Sequence, residues 1–187
     1  MTGDSLWLVR HGETEWSRDG RHTSLTDVPL TEPGVAAARE LGHRLAGHAF
    51  SLVLTSPRLR ARHTAELAGF PNAVVDDDLA EWFYGTYEGI TTDETRAFDP
   101  TWTVWTHPSP GGETAAQVAG RADRVIARAC SIEGDVLLFG HGHALRALTA
   151  RWLGQDVADG RLYHLDTGTI SVLGYERDTP VIVHWNG

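Results

Sequence analysis

The chain has 187 residues, enough for one domain or one domain with a small lid, and a domain this size buries roughly 70% of the surface its unfolded chain exposes. Sixteen Lys and Arg against 25 Asp and Glu give a net charge of −9. That is a poor composition for nucleic-acid binding, which uses a basic face, although a pocket can still be locally positive. The one cysteine, Cys130, excludes an intramolecular disulfide and suits a reducing compartment, and no apolar stretch approaches the ~18 residues of a membrane span.

In chain order, Met1 to Ser5 lacks the basic and apolar regions of a signal peptide, so a cytoplasmic protein is expected. Leu6 to Val9 predicts a strand that ends on Arg10, His11 and Gly12. Thr31 is a predicted N-cap, with Pro33 in the first turn of a helix that continues from Ala36 to Leu45. Leu52 to Thr55 predicts a second strand, and Ser56-Pro57 reads as the N-cap and first residue of a helix through Leu67. From about Glu81 to Gly112, aromatics mixed with glycines and prolines predict an irregular, lid-like segment with short helices. Thr114 and Gln117 form a capping box for a helix to about Cys130, which the apolar helical pattern marks as a small core residue. Val136 to Phe139 predicts a third strand, followed by a helix from about His143 to Leu153. Ile170 to Leu173 and Val181 to Val183 predict two more strands, paired as a hairpin around Glu176-Arg177-Asp178. Near-continuous apolar strands alternating with helices predict an α/β fold with a largely parallel sheet covered on both faces.

Catalytic groups in such folds collect beyond the carboxyl ends of the strands. His11 stands there, and an imidazole with one nitrogen tied down and the other free can attack phosphorus. Arg10 offers a fixed charge in a fork that matches phosphate oxygens. Arg58 and Arg62 share one face of their helix and Arg60 points about 160° away, and periodicity leaves open which face meets the site. His141 falls where a strand gives way to a helix, so it reads as a phosphate ligand, with Gly142 letting backbone amides approach an anion. The His141-x-His143 pair would suit a metal only on a shared strand face, and no HExxH or cysteine cluster accompanies it. Glu81 lies beside Trp82, Phe83 and Tyr84, and an apolar setting favours the protonated carboxyl, which makes Glu81 a candidate proton donor. Glu88 and Glu113 are rivals, with Glu113 also placed to favour a helix dipole.

Leu8-Val9-Arg10-His11-Gly12-Glu13-Thr14, Leu25 to Gly34, Thr55 to Ala61, Glu81 to Gly89, Gly112-Glu113-Thr114 and Gly140-His141-Gly142 together resemble the histidine phosphatase (phosphoglycerate mutase-like) superfamily. The motifs appear in family order over nearly the whole chain. The resemblance implies a three-layer α/β/α sandwich with a mostly parallel central sheet, as one domain over 1–187 with a lid-like segment at about 81–112. It implies that His11 is phosphorylated, that Glu81 donates the proton, and that Arg10, Arg60 and His141 clamp the phosphate. His22, Thr23 and Tyr84 match positions that line the substrate pocket. The chain departs from common family usage at Ala37 and His63, where glutamine is frequent. The implied activity is metal-independent phosphomonoester hydrolysis without a cofactor, and the short chain disfavours the alternative of a phosphoglycerate mutase. Retention of His11 and Glu81 disfavours a non-catalytic phospholigand-binding protein. Val74 to Trp82, Tyr84 to Gly89 and Gly140 to Arg146 are similar to the branch holding fungal sedoheptulose-1,7-bisphosphatase and actinobacterial acid phosphatases, which implies a sugar phosphate or bisphosphate substrate. The expected partner is a small phosphorylated metabolite, with no nucleic acid and no membrane, and a homodimer is left open. Trp82, Trp102 and Trp105 could stack on a sugar or simply close a small core.

Overall fold

The computed structural model describes residues 5–187. The signal-peptide expectation rests on residues 1–4, which lie outside the described residues. Strands β1 (Leu6–Arg10), β2 (Leu52–Thr55), β3 (Val74–Val75), β4 (Val136–Gly140), β5 (Ile170–Glu176) and β6 (Thr179–His184) form one sheet in the order β3-β2-β4-β1-β5-β6. The first four are mutually parallel, and β5 and β6 close one edge as antiparallel neighbours. The hairpin turns at Arg177, which takes a positive φ of 59°. The helices are α1 (Glu15–Arg18), α2 (Glu32–Leu45), α3 (Leu59–Leu67), α4 (Thr92–Arg96), α5 (Ala115–Cys130) and α6 (Gly142–Trp152). Among the described residues no helix is long and apolar enough to cross a membrane.

The two-residue period of the strands sorts the core into layers. Leu6, Leu8, Val136 and Leu138 pack under α5 and α6, against Val125, Leu145, Leu148 and Trp152. Val9, Leu137 and Phe139 face the other way, against Leu41 and Leu45 of α2 and Ala65 of α3. The result is the expected three-layer sandwich, and it explains why all five residues of β4 are buried. Burying a side chain such as Leu138 or Phe139 contributes roughly 2 kcal/mol. A third cluster joins Trp82, Tyr84, Tyr87, Trp102 and Trp105 to Val118 and Ala147. The three tryptophans therefore close a core beneath the 81–112 segment, and they do not offer open faces for a sugar.

Two local expectations are corrected. Ser56-Pro57 does not open α3. The helix begins at Leu59 after Arg58, which gives no side-chain cap. Asp27, from a distant loop, accepts from the Leu59 N–H at 2.9 Å, while the Ser56 hydroxyl bonds His141 Nε2 at 2.7 Å and accepts from Arg58 N at 3.3 Å, short of the helix. Cys130 is exposed rather than buried, because α5 turns Ala129 toward the core and leaves Cys130 at the last turn. By contrast, the predicted caps hold: Thr31 Oγ1 accepts from Gly34 N at 3.1 Å, and Thr114 and Gln117 cap α5 reciprocally.

Candidate active site

Three parallel strands deliver the central residues side by side. Arg10 pairs with Gly140 and Thr55 with Phe139, so the residues that follow, His11, Ser56 and His141, leave the sheet at one level. Backbone bonds from His11 N to Gly140 O (3.0 Å) and from Ser56 N to Phe139 O (2.9 Å) carry the register one residue past the strands. The loop after His11 is then fixed by Gly12 N donating to Thr64 Oγ1 of α3 at 3.0 Å. Gly12 lies so near the start of α2 that a Cβ there would stand 2.5 Å from Gly34 O, which side chains cannot tolerate.

His11 is 4% exposed. Its Nδ1–H donates to Gly12 O at 2.7 Å, which leaves Nε2 as the lone-pair nitrogen. Arg60 Nε donates toward that nitrogen from 3.3 Å. Burial, reinforced by the charges of Arg60 and Arg10, holds the imidazole well below the usual histidine range. His11 is thus a neutral imidazole with a defined tautomer, set among cations. The His141 ring stands 5.1 Å away, edge-on. Its Nε2 shares a 2.7 Å hydrogen bond with Ser56 Oγ, and its Nδ1 is buried without a partner. Burial, then Arg60 and His11, keeps it uncharged as well.

Arg60 settles the question that helical periodicity left open. It is 1% exposed, while Arg62 is exposed. Its Nη1 and Nη2 donate to the carbonyls of Thr26 (3.2 Å) and Thr23 (2.9 Å), which aims Nε at His11. Arg10 donates through Nη1 to Leu165 O, and its Nε is buried and unpaired. Gly142 admits that guanidinium, since a Cβ would meet its central carbon at 3.3 Å.

Glu81 sits differently from its expected aromatic setting. Its Oε1 accepts from Trp82 N and Ala144 N, both at 2.8 Å, and its Oε2 accepts from His143 N at 3.1 Å. The carboxylate therefore occupies the N-terminus of α6, the place the sequence reading reserved for a ligand anion beside Gly142. Both rivals are structural. Glu88 accepts from Ser24 N (2.9 Å), Thr26 N (3.0 Å) and the Ser24 hydroxyl. Glu113 pairs with Arg121 at 2.9 Å and accepts from Phe83 N at 2.8 Å.

A cleft opens over these groups. Arg10, His11, His22, Thr23, Glu81, Tyr84 and Gly142 line it together with Ser17, Gly20, Arg21, Thr92, His143, Arg146 and Leu165. Arg60 and His141 are not among its lining residues; both stand against the His11 ring, Arg60 Nε at 3.3 Å from Nε2 and the His141 ring at 5.1 Å. Thr23 turns its hydroxyl back to Arg21 O at 3.0 Å, and His22 Nε2 meets Thr92 Oγ1 at 3.3 Å. Sequence reasoning missed Arg21 and Arg146 as lining residues and considered His143 only as a metal ligand. The available signal was helical spacing, which stacks His143 and Arg146 one turn apart. His141 caps α6 and His143 is its second residue, so no shared strand face exists.

The profile of the histidine phosphatase superfamily (branch 1) matches residues 6–187. The chain is 45% identical over 176 residues to an acid phosphatase of Mycobacterium tuberculosis, covering 91% of this chain and 86% of that one. It is 39% identical over 183 residues to sedoheptulose 1,7-bisphosphatase of Saccharomyces cerevisiae, covering 80% and 68%. The solved structure of an open reading frame product of Mycobacterium tuberculosis superposes with a TM-score of 0.94 at 41% identity, covering 98% and 97%.

Proposed function

The chain belongs to the histidine phosphatase superfamily and is a phosphatase, and from that premise we propose that it hydrolyses a small sugar phosphate or bisphosphate through a phosphohistidine on His11. The observation that carries the proposal is the His11 ring itself: neutral, with Nδ1 tied to Gly12 O and the Nε2 lone pair facing Arg60 Nε at 3.3 Å. In the first step Nε2 attacks phosphorus in line, an N–P bond forms and the ester P–O bond breaks. Arg10 and Arg60 supply positive charge, and the unpaired Nδ1 of neutral His141 a donor, where the phosphoryl oxygens develop charge. A protonated Glu81 passes its proton to the leaving alcohol. In the second step water attacks the phosphohistidine and gives its proton to the Glu81 carboxylate, the N–P bond breaks, and inorganic phosphate leaves.

Arginines and histidines provide the clamp, so turnover is expected to survive a chelator. Arg21 and Arg146 on the cleft wall suit a second anionic group, which supports a bisphosphate, as does the 39% identity to sedoheptulose 1,7-bisphosphatase. The exposed free Cys130 suits a cytoplasmic setting. The test is a phosphate-release screen over sugar phosphates, bisphosphates and phosphoglycerates, with mutase activity scored alongside. Phosphate release led by a sugar phosphate or bisphosphate is expected. Phosphoglycerate interconversion exceeding release, or activity lost to a chelator and restored by zinc, would overturn the proposal.

A further inference from the structure

We propose that His143 is a specificity residue of the site, a neutral N–H donor fixed in one tautomer by Tyr84, which reads a hydroxyl oxygen on the alcohol half of the ester. The inference rests on the phosphatase reading above and names what that reading leaves open, the chemistry recognised beyond the phosphate.

Tyr84 OH and His143 Nδ1 are 2.6 Å apart. Tyr84 is almost fully buried, and that burial, helped by nearby Glu81, holds its phenol well above the usual range. It therefore keeps its proton and has an O–H to give to Nδ1. Burial, then Arg146, His22 and Arg10, keeps the His143 imidazole well below the usual histidine range, so the ring is neutral. A donating phenol takes the Nδ1 lone pair and places the ring proton on Nε2. That Nε2 has no protein partner among the described residues, is not among the closed-off unpaired atoms, and belongs to a ring on the cleft wall. His22 differs: its Nε2 meets Thr92 Oγ1 at 3.3 Å.

The ring is also held still. Trp105 packs edge-on at 5.2 Å, and the His143 backbone N–H is anchored on Glu81 Oε2 at 3.1 Å. The donor thus projects from the residue that holds the carboxylate serving the leaving oxygen. An N–H in that place matches a hydroxyl or ring oxygen. A plain alkyl chain would displace its water and leave it unpaired. Tyr84 is then a positioning residue, acting through His143.

The test compares glycerol 1-phosphate with n-propyl phosphate, esters of similar size that differ in hydroxyls. Wild type is expected to favour glycerol 1-phosphate in kcat/KM by about three- to tenfold, the range of one net hydrogen bond. His143→Ala should bring the ratio to about one, while His143→Gln, whose amide N–H reaches similarly far, should retain part of the preference. Tyr84→Phe should lower the ratio through KM. Nitrogen-15 shifts at neutral pH should show His143 as a single Nε2–H tautomer in wild type, and should lose that signature in Tyr84→Phe. A wild-type ratio near one, a ratio unmoved by His143→Ala, or an Nδ1–H tautomer overturns the inference. Absence of phosphate release from both esters and from p-nitrophenyl phosphate would instead overturn the hydrolytic reading beneath it.

Discussion

Acidification should destabilise this protein by an amount set by its buried histidines. His11, His141 and His143 are each held well below the ordinary histidine range by burial, so the folded chain resists protonation that the unfolded chain accepts. The sign follows from linkage: where the unfolded state binds more protons, stability falls as pH falls, here through about 6.5, the value of an unfolded histidine. Between about pH 7.5 and about pH 5.5 each group costs about 1.4 kcal/mol, or about 4 kcal/mol for the three, provided all stay neutral in the fold. His22, lowered by burial as well, adds in the same sense. The lowered carboxylates, Asp166 and Glu94, lose their contribution only at lower pH and do not offset this fall. With a urea slope of roughly 2–3 kcal/mol/M, the unfolding midpoint should drop by roughly 1.3–2 M over that interval. His143→Gln should remove about a third of the dependence. A midpoint that stays flat or rises on acidification would refute the assignment of neutral, buried imidazoles.

The same neutrality predicts that the phosphoryl-transfer step, measured by single-turnover kinetics, holds its rate as pH drops below the usual histidine range while the fold remains intact; a rate that falls in step with an unshifted histidine would oppose it. Glu81→Gln should slow esters with poor leaving groups far more than p-nitrophenyl phosphate, whose alcohol leaves without a proton, and equal losses on both would argue against the acid role. Arg121→Met should lower stability by about 3–5 kcal/mol in urea unfolding, because Glu113 and the carbonyls of Asp78 and Ala80 lose the guanidinium that satisfies them. A loss below about 1 kcal/mol would show that this partly buried pair behaves as a surface one.

Much of the architecture was legible because its causes are local. β2 spans Leu52–Thr55 as the apolar run predicts, and β1 and β4 each extend one residue further. Thr31 and Thr114 cap their helices through bonds three residues away, which a linear pattern displays. What escaped depends on partners far apart in the chain. Asp27 caps α3 from 32 residues away, and no motif near Ser56 announces it. Arg60 could be told from Arg58 and Arg62 by resemblance but not by periodicity, since its inward turn depends on the Thr23 and Thr26 carbonyls. Glu81 was recognised, yet its grip on the first turn of α6 required the sheet to bring residues 81 and 144 together. Two-residue β3, exposed at the sheet edge, carries too little pattern to predict.

A phosphohistidine on His11 can be trapped by quenching turnover of a radiolabelled phosphate ester into alkali, where phosphohistidine survives, and mapping the label by peptide. Label is expected on the peptide containing His11 and none in His11→Ala, together with loss of turnover in that variant. Label on another residue, or turnover retained without His11, would contradict it.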